Sequence, residues 1–255
     1  MIAEDFSATR NRVWPEMEIL VKKYVRLGVK ILDVGCGNGR LVEILPEVEY
    51  WGVDTSEGLI GEAKEKLRNK EIKKLRAVNF RVLDMLELAK LGEKDFDAVF
   101  MFASLNHIAG QENRHKVLEE VRRILKPGGV LIMTNWNMWQ VGAGKSLWRY
   151  KFQFPRYKIQ DTNKFQIQNP KSKINAKSQI RNFGLGFRDV MTVWESVPNG
   201  ARGKLYYRAF RLGELRGLLG KAGFEVVESY YSLGGERAHW WNGKNVVTVG
   251  RFVGE

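Results

Sequence analysis

Ten residues, Ile31-Leu32-Asp33-Val34-Gly35-Cys36-Gly37-Asn38-Gly39-Arg40, carry the first chemistry in this sequence. An apolar run that ends in alternating glycines lets backbone approach a ligand closely, outside the carboxyl end of a buried strand. A dinucleotide site needs a small residue in the last slot of G-x-G-x-x-G, so that helix and strand can close over a pyrophosphate. Counted from Gly35, that slot holds Arg40, and a ligand without pyrophosphate is favoured. Asp54, in Gly52-Val53-Asp54-Thr55-Ser56, is spaced to accept hydrogen bonds from the hydroxyls of a ribose. Its competing duty is to cap a helix that starts near Ser56, a need that Thr55 and Ser56 already fill. Asp84-Met85 would add a carboxylate and a flat apolar wall for a base; for Asp84 alone, a solvated turn residue is nearly as good a reading.

These residues need a scaffold that delivers them to one edge. A helix is expected over Thr9 to Gly28, with Pro15 in its first turn. Strands are expected at Val29 to Val34, Glu49 to Val53, Asn79 to Leu83, Asp97 to Phe102 and Val130 to Thr134. Helical faces lie between them, at Leu59, Ile60, Ala63 and Leu67, and at Val117, Val121, Ile124 and Leu125. Pro127-Gly128-Gly129 stops the second of these helices. After an irregular stretch come a helix near Leu212 to Ala222, capped by Gly223, and strands at Glu225 to Tyr231 and Asn245 to Phe252. Such alternation gives a Rossmann-like α/β fold, a doubly wound seven-stranded sheet whose last strand is antiparallel. Residues 1–255 read as a single domain, with a helical lid at 1–28 and a basic insertion at 136–205 after strand five.

Bulk composition narrows the setting. The chain has 255 residues, enough for one full core, and no apolar run near the roughly 20 residues that a bilayer demands. Met1 to Arg12 contain no apolar leader. The single cysteine, Cys36, excludes an intrachain disulfide and a thiolate zinc cage, so no metal is expected and the cytoplasm is the expected compartment. A formal charge of +13 points to a polyanionic partner. Between Lys145 and Arg188, eleven lysines and arginines stand against Asp161 alone, which places ten of the thirteen net charges in one stretch. Trp148, Tyr150, Phe152, Phe154, Tyr157, Phe165 and Phe183 interleave with them. Cations for phosphates beside rings for splayed bases suit a single-stranded RNA loop; aromatics that simply pack on the core are the plain alternative. A lipid surface ranks last, because Pro155 and Pro170 interrupt any amphipathic helix.

Asp33-Val34-Gly35-Cys36-Gly37-Asn38-Gly39, with Lys126-Pro127-Gly128-Gly129 before the fifth strand, resembles the class I S-adenosylmethionine-dependent methyltransferases. Phe6-Ser7-Ala8-Thr9-Arg10, Trp14-Pro15, Tyr206-Tyr207-Arg208-Ala209-Phe210, Gly213-Glu214-Leu215 and Trp240-Trp241 resemble, more closely, the tRNA wobble-uridine carboxymethyl methyltransferases. That family usually carries His-His after the fourth strand, where this chain has Asn106-His107, and Tyr-Tyr-His where it has Tyr206-Tyr207-Arg208. The resemblance implies S-adenosyl-L-methionine as cofactor, held by Gly35, Cys36, Gly37, Gly39, Asp54, Thr55, Asp84, Met85, Phe102 and Ala103, with Arg10 on its carboxylate. It makes Asn106 and His107 the catalytic candidates, tRNA the partner, and a small zinc-binding activator subunit a further candidate partner. Candidate RNA contacts are Arg149, Lys151, Arg156, Lys158, Arg208 and Arg237.

Elimination narrows the methyl acceptor. Methylation at pyrimidine C5 commonly requires a cysteine nucleophile, and Cys36 lies inside the cofactor loop. Exocyclic-amine methyltransferases carry a proline box after strand four, where this chain has Ala103-Ser104-Leu105-Asn106-His107. A carboxylate, ionised at neutral pH, requires no general base, only positioning. The expectation is methyl transfer to the carboxyl oxygen of a modified wobble uridine. The rivals are a small-molecule O-, N- or C-methyltransferase and a non-catalytic RNA-binding module that keeps the cofactor fold. His107 reads equally as a base for a hydroxyl acceptor and as a structural residue at the strand end.

Overall fold

The structure is a computed structural model that describes residues 12–69, 75–141, 146–147, 186–195 and 202–254. Arg10, Arg149, Lys151, Arg156 and Lys158, with the first eleven residues and most of the 136–205 insertion, lie outside the described residues. Helix α1 spans Pro15–Tyr24, shorter than the sequence suggests, because Pro15 opens its first turn and Val25 is already extended. There follow β1 (Lys30–Val34), β2 (Glu49–Asp54), α2 (Glu57–Asn69), β3 (Ala77–Val82), β4 (Phe96–Phe102), α3 (Gln111–Ile124) and β5 (Leu125–Trp136). A hairpin of β6 (Asp189–Glu195) and β7 (Arg202–Arg208) precedes α4 (Leu212–Lys221), β8 (Phe224–Leu233), β9 (Glu236–Ala238) and β10 (Asn245–Phe252).

The main sheet has the order β3-β2-β1-β4-β5-β10-β8-β9. Strands β1 to β5 pair in parallel, and β10 runs antiparallel to both β5 and β8. It therefore has eight strands rather than the expected seven. The addition is β9, three residues long, folded back on β8 through the left-handed Gly234 and Gly235. So short a strand shows no period in sequence. The β6–β7 hairpin forms a separate two-stranded sheet.

Strand β5 also differs from expectation. It starts at Leu125, directly after α3, and carries Pro127-Gly128-Gly129 within it as an irregularity: Phe96 faces Leu125, then Ala98 faces Val130. A Cβ on Gly129 would stand 2.9 Å from the Lys126 carbonyl oxygen, so glycine makes this bend possible.

Both faces of the sheet are covered, as alternation along β1 requires. Leu32, Val34, Met101 and Met133 pack under α3 and α4, while Ile31, Phe100 and Ile132 pack under α1 and α2. Each fully buried aliphatic contributes about 1.5–3 kcal/mol. Helix α1 is fastened by a buried carboxylate: Glu16 Oε1 accepts from Ser232 Oγ at 2.9 Å and from Asn245 Nδ2 at 3.0 Å. Since Asn245 pairs with Trp136, the first turn of α1 lies at the carboxyl edge of β5. A third cluster, including Trp136, Met138, Trp139, Val190 and Tyr207, attaches the hairpin to that same edge. Among the described residues no helix is long and apolar enough to cross a membrane.

Candidate cofactor and acceptor site

The glycine loop leaves β1 and turns across the end of β2. The amides of Gly35 and Cys36 both donate to the Val53 carbonyl, at 2.8 and 3.0 Å. Gly35, Gly37 and Gly39 all have positive φ, but their surroundings differ. A Cβ on Gly35 would stand 2.7 Å from Ser104 Cβ, and one on Gly39 would stand 2.8 Å from Phe80 Cζ. At Gly37 nothing among the described residues lies within 4 Å. Two glycines are thus demanded by packing, and the third faces open space. Beyond the loop comes only a short 3-10 turn, Arg40–Ile44, rather than an α-helix. Among the described residues, no α-helix follows the loop to hold a pyrophosphate at its start. Arg40 is buried, its guanidinium 4.0 Å from the centre of the Trp14 ring, which fills the volume that a dinucleotide loop keeps small.

Asp54 ties the glycine loop to the turn that enters α2. Oδ2 accepts from the Gly37 amide at 3.0 Å and Oδ1 from the Ser56 amide at 2.9 Å, while Ser56 Oγ receives the Leu59 amide at 3.3 Å. One carboxylate therefore shapes the loop and starts α2. Thr55 sits half-buried beside it. Asp84 likewise caps a short turn, accepting from Leu86 N at 2.9 Å. Met85 reaches the loop, its Cε 3.8 Å from where a Gly35 Cβ would stand. Cys36 is buried, and burial pushes its thiol up, so it is a packing residue rather than a nucleophile. Phe102 stacks on Phe100 in the core at 5.3 Å, and only its backbone faces the edge. Ala103 turns the chain off β4 at φ 53°, with its amide donating to Thr134 O at 2.8 Å. A non-glycine residue held in this region is a strained position of the kind that clusters at functional sites.

Four polar side chains at this carboxyl edge went unnoticed in sequence or were only half read. Ser104, Asn106, Thr134 and Asn135 are all buried, and Ser104 Oγ, Thr134 Oγ1 and both amide atoms of Asn106 and of Asn135 have no hydrogen-bond partner among the described residues. A buried amide left dry costs about 1–3 kcal/mol. Such a cluster belongs at a place where a polar guest or water completes the bonding. The available signal was Thr134-Asn135 closing an otherwise apolar strand.

His107 points elsewhere. Its Nδ1 lies 3.1 Å from the Tyr206 carbonyl oxygen, and its ring packs against Tyr207 at 4.7 Å and Trp136 at 6.0 Å. A carbonyl only accepts, so the neutral ring carries its proton on Nδ1 and its lone pair on Nε2. The β6–β7 hairpin thereby fixes both the orientation and the tautomer of His107.

A chain of charges holds that hairpin. Arg114 donates to Ile108 O at 2.9 Å and to Tyr206 Oη at 3.3 Å; Tyr206 donates to Asp189 at 2.5 Å; Arg208 bridges Asp189 at 3.1 Å and Glu214 at 2.9 Å; Arg188 meets Glu214 at 3.0 Å. Burial alone would raise the Asp189 carboxyl, but hydrogen bonds from Tyr206 and Gly186 and the charge of Arg208 hold it below the usual range. Arg208, expected in sequence to meet RNA, here bridges two carboxylates and braces the hairpin. Arg237 remains exposed at 70 %, pairing with Glu228 at 3.4 Å above the ring of Tyr230. Among the described residues no cluster of histidine, cysteine, aspartate and glutamate could hold a metal.

Comparison with known proteins agrees with this geometry. A family model described as "Methyltransferase domain" matches residues 32–133. A tRNA (carboxymethyluridine(34)-5-O)-methyltransferase of Arabidopsis thaliana is 33% identical over 135 residues, which is 53% of this chain and 30% of that protein. The chain thus spans under a third of the length of that relative. In overall shape it resembles an S-adenosylmethionine-dependent methyltransferase of Methanosarcina mazei, with a TM-score of 0.63, 20% identity, and coverage of 92% of this chain and 98% of that one. It also resembles the Haloferax volcanii complex between the Trm112 methyltransferase activator and a methyltransferase, with a TM-score of 0.59, 16% identity, and coverage of 99% and 94%. With residues 32–133 matching a methyltransferase-domain model and its sheet matched in shape, the chain has the fold of the S-adenosylmethionine-dependent methyltransferases.

Proposed function

We propose that this chain transfers a methyl group from S-adenosylmethionine to tRNA, at the carboxyl oxygen of a modified wobble uridine. The observation that carries the reading is the carboxyl edge itself: among the described residues, open space over Gly37, the Asp54 carboxylate beneath it, and buried Ser104 and Asn106 without partners just after β4. These residues fit the cofactor. Asp54 and Asp84 can accept from sugar and base, Met85 offers an apolar face, and the backbone at Ala103 turns toward the loop. When bound, the cofactor supplies a methyl group activated on a sulfonium. For the chain's own residues, a carboxylate acceptor leaves only positioning and exclusion of water, with no proton to remove. Asn106, with two donors and an acceptor unpaired among the described residues, is the group we assign to orient the acceptor, and His107 forms the wall that the hairpin holds in place.

The substrate rests on the named activity of the Arabidopsis relative and on the basic, aromatic stretch from Lys145 to Arg188. We assign that stretch and the segment 1–28 to docking tRNA over the site, in the cytoplasm. The Haloferax complex supports a small activator subunit as a partner. The test is methyl transfer from labelled S-adenosylmethionine into total tRNA, read by nucleoside mass spectrometry as a methyl ester on a carboxymethylated uridine. Label found only in small metabolites would replace this reading with that of a small-molecule methyltransferase.

Asp54 offers a narrower check. Asp54→Ala removes a charge, the anchor of the Gly37 amide and a cap of α2, and should weaken cofactor binding by about 1–3 kcal/mol. Calorimetry that finds affinity unchanged in the folded variant would remove Asp54 from the site.

A further inference from the structure

The described surface carries an aromatic corner that the methyl site does not use. The loop 239–244 joins β9 to β10 and exposes Trp240 at 50% and Trp241 at 44%. The two indoles meet at 88° with centres 5.8 Å apart, and His239 lies flat on Trp241, with centres 4.2 Å apart and planes 2° from parallel. Large apolar rings in a loop usually turn inward; these are held outward by a frame of backbone bonds. Asn137 is buried, and its Nδ2 donates to the carbonyls of Trp240 and Gly243 at 2.7 Å each, while its Oδ1 accepts from Trp139 N at 3.1 Å. Val141 N donates to Trp241 O at 2.8 Å, and Asn242 Oδ1 receives the His239 amide at 2.9 Å. The rings are therefore presented by a fixed scaffold, at little entropic cost on binding.

The place matters as much as the shape. β10 starts opposite Trp136, so the corner stands on the carboxyl edge that holds the glycine loop and Asn106. Arg237 and Lys244, both exposed, flank it, and the chain carries a net charge of +13. A perpendicular pair of indoles accepts one flat ring well: the ring stacks on one indole and turns its electropositive rim to the face of the other. Flat rings strung on a polyanion are the bases of a single strand, whereas a duplex keeps its faces covered.

We propose that Trp240, Trp241 and His239 form a base-stacking platform for single-stranded RNA beside the methyl site. This rests on the tRNA reading above and adds the surface that seats a nucleotide next to the target. An apolar surface for a second copy of this chain is the other occupant such a corner could take.

The test uses the full chain with a single-stranded 12-mer of uridylate and, separately, a 12-base-pair RNA duplex. Stacking should quench indole fluorescence with the single strand and not with the duplex. Trp240→Ala and Trp241→Ala should each weaken single-strand binding about tenfold, in the range that loss of one stacked base produces. Trp240→Phe should recover most of the loss, and methyl-donor binding should stay unchanged in every variant. Single-strand affinity equal to the parent's in both alanine variants overturns the platform, while tRNA methylation in the same assay leaves the substrate reading standing. Failure of the parent chain to bind the 12-mer overturns the platform alone, and failure to methylate tRNA as well removes both. A parent dimer that the double alanine variant converts to monomer, with RNA affinity kept, assigns the corner to self-association instead.

Discussion

Gly35→Ala is expected to lower stability by roughly 3 kcal/mol or more, whereas Gly37→Ala, two residues on, is expected to fold and to lose the cofactor. Both glycines have positive φ, so both substitutions carry the left-handed penalty of about 1–2 kcal/mol. Only Gly35 adds a collision. Its new Cβ would stand 2.7 Å from Ser104 Cβ, and Ser104 follows Ala103, which is itself held at φ 53° and bonded to Thr134 O. That strand exit has little room to retreat, and overpacking of this kind typically costs about 1–3 kcal/mol more. At Gly37 the added methyl meets nothing within 4 Å among the described residues and occupies the space proposed above for the ligand. Thermal unfolding separates the two variants, and calorimetry with S-adenosylhomocysteine measures the loss at Gly37. A well-folded Gly37→Ala chain that binds with parental affinity would mean that the open space is not the cradle.

The same contrast shows what was legible in the sequence. Gly35, Gly37 and Gly39 stand out equally in a motif, yet one meets nothing among the described residues and two face side chains from elsewhere in the fold. Spacing identifies the loop, because a strand that ends in glycines leaves a local mark. It does not say which neighbour arrives from β3 or β4. The parallel order of β1 to β5 and the reversed β10 were legible for a similar reason: each strand is a complete period-two or apolar run. The three-residue β9 has no such run, and the hairpin β6–β7 lies in a stretch where rings and cations mask any alternation.

Candidate residues divided along the same line. Asp54 and Met85, singled out by spacing, both lie against the glycine loop. The bracing pairs of Arg208 were not legible, because its partners Asp189 and Glu214 lie on a strand and a helix that only the fold brings together. Asn135 escaped notice because one amide at the end of an apolar strand is informative only once its burial and lack of partners are known. A charge in sequence is thus a question about partners, and the fold supplies the answer.

Asp33 is the strongest case, and it gives the second large effect. The carboxyl sits at the start of the cofactor loop, fully buried in β1, with Tyr50 Oη donating to it at 3.1 Å. Burial pushes its pKa up to about 7; the hydrogen bond from Tyr50 and the charge of Arg40 pull down, and the charge of Asp54 pushes up. An acid whose pKa is higher in the folded chain than the ordinary 3.8 binds its proton more tightly when folded. Its contribution to stability is complete below about pH 4 and is lost as pH rises through 7. At about 1.4 kcal/mol per unit, the whole interval is worth about 4 kcal/mol, of which about 3 kcal/mol should disappear between pH 5 and pH 8. Asp33→Asn keeps an acceptor for Tyr50 and removes the proton. It also leaves buried Arg40, whose charge burial disfavours and an ionised Asp33 supports, without that support above about pH 7, so absolute stability there should fall as well. The slope is therefore the readout. Urea unfolding of the parent chain at pH 5 and pH 8 should differ by about 3 kcal/mol more than it does in Asp33→Asn. Equal slopes in the two chains would mean that Asp33 is ionised in the folded protein at both pH values, held as the counter-charge of Arg40 rather than as a neutral acid.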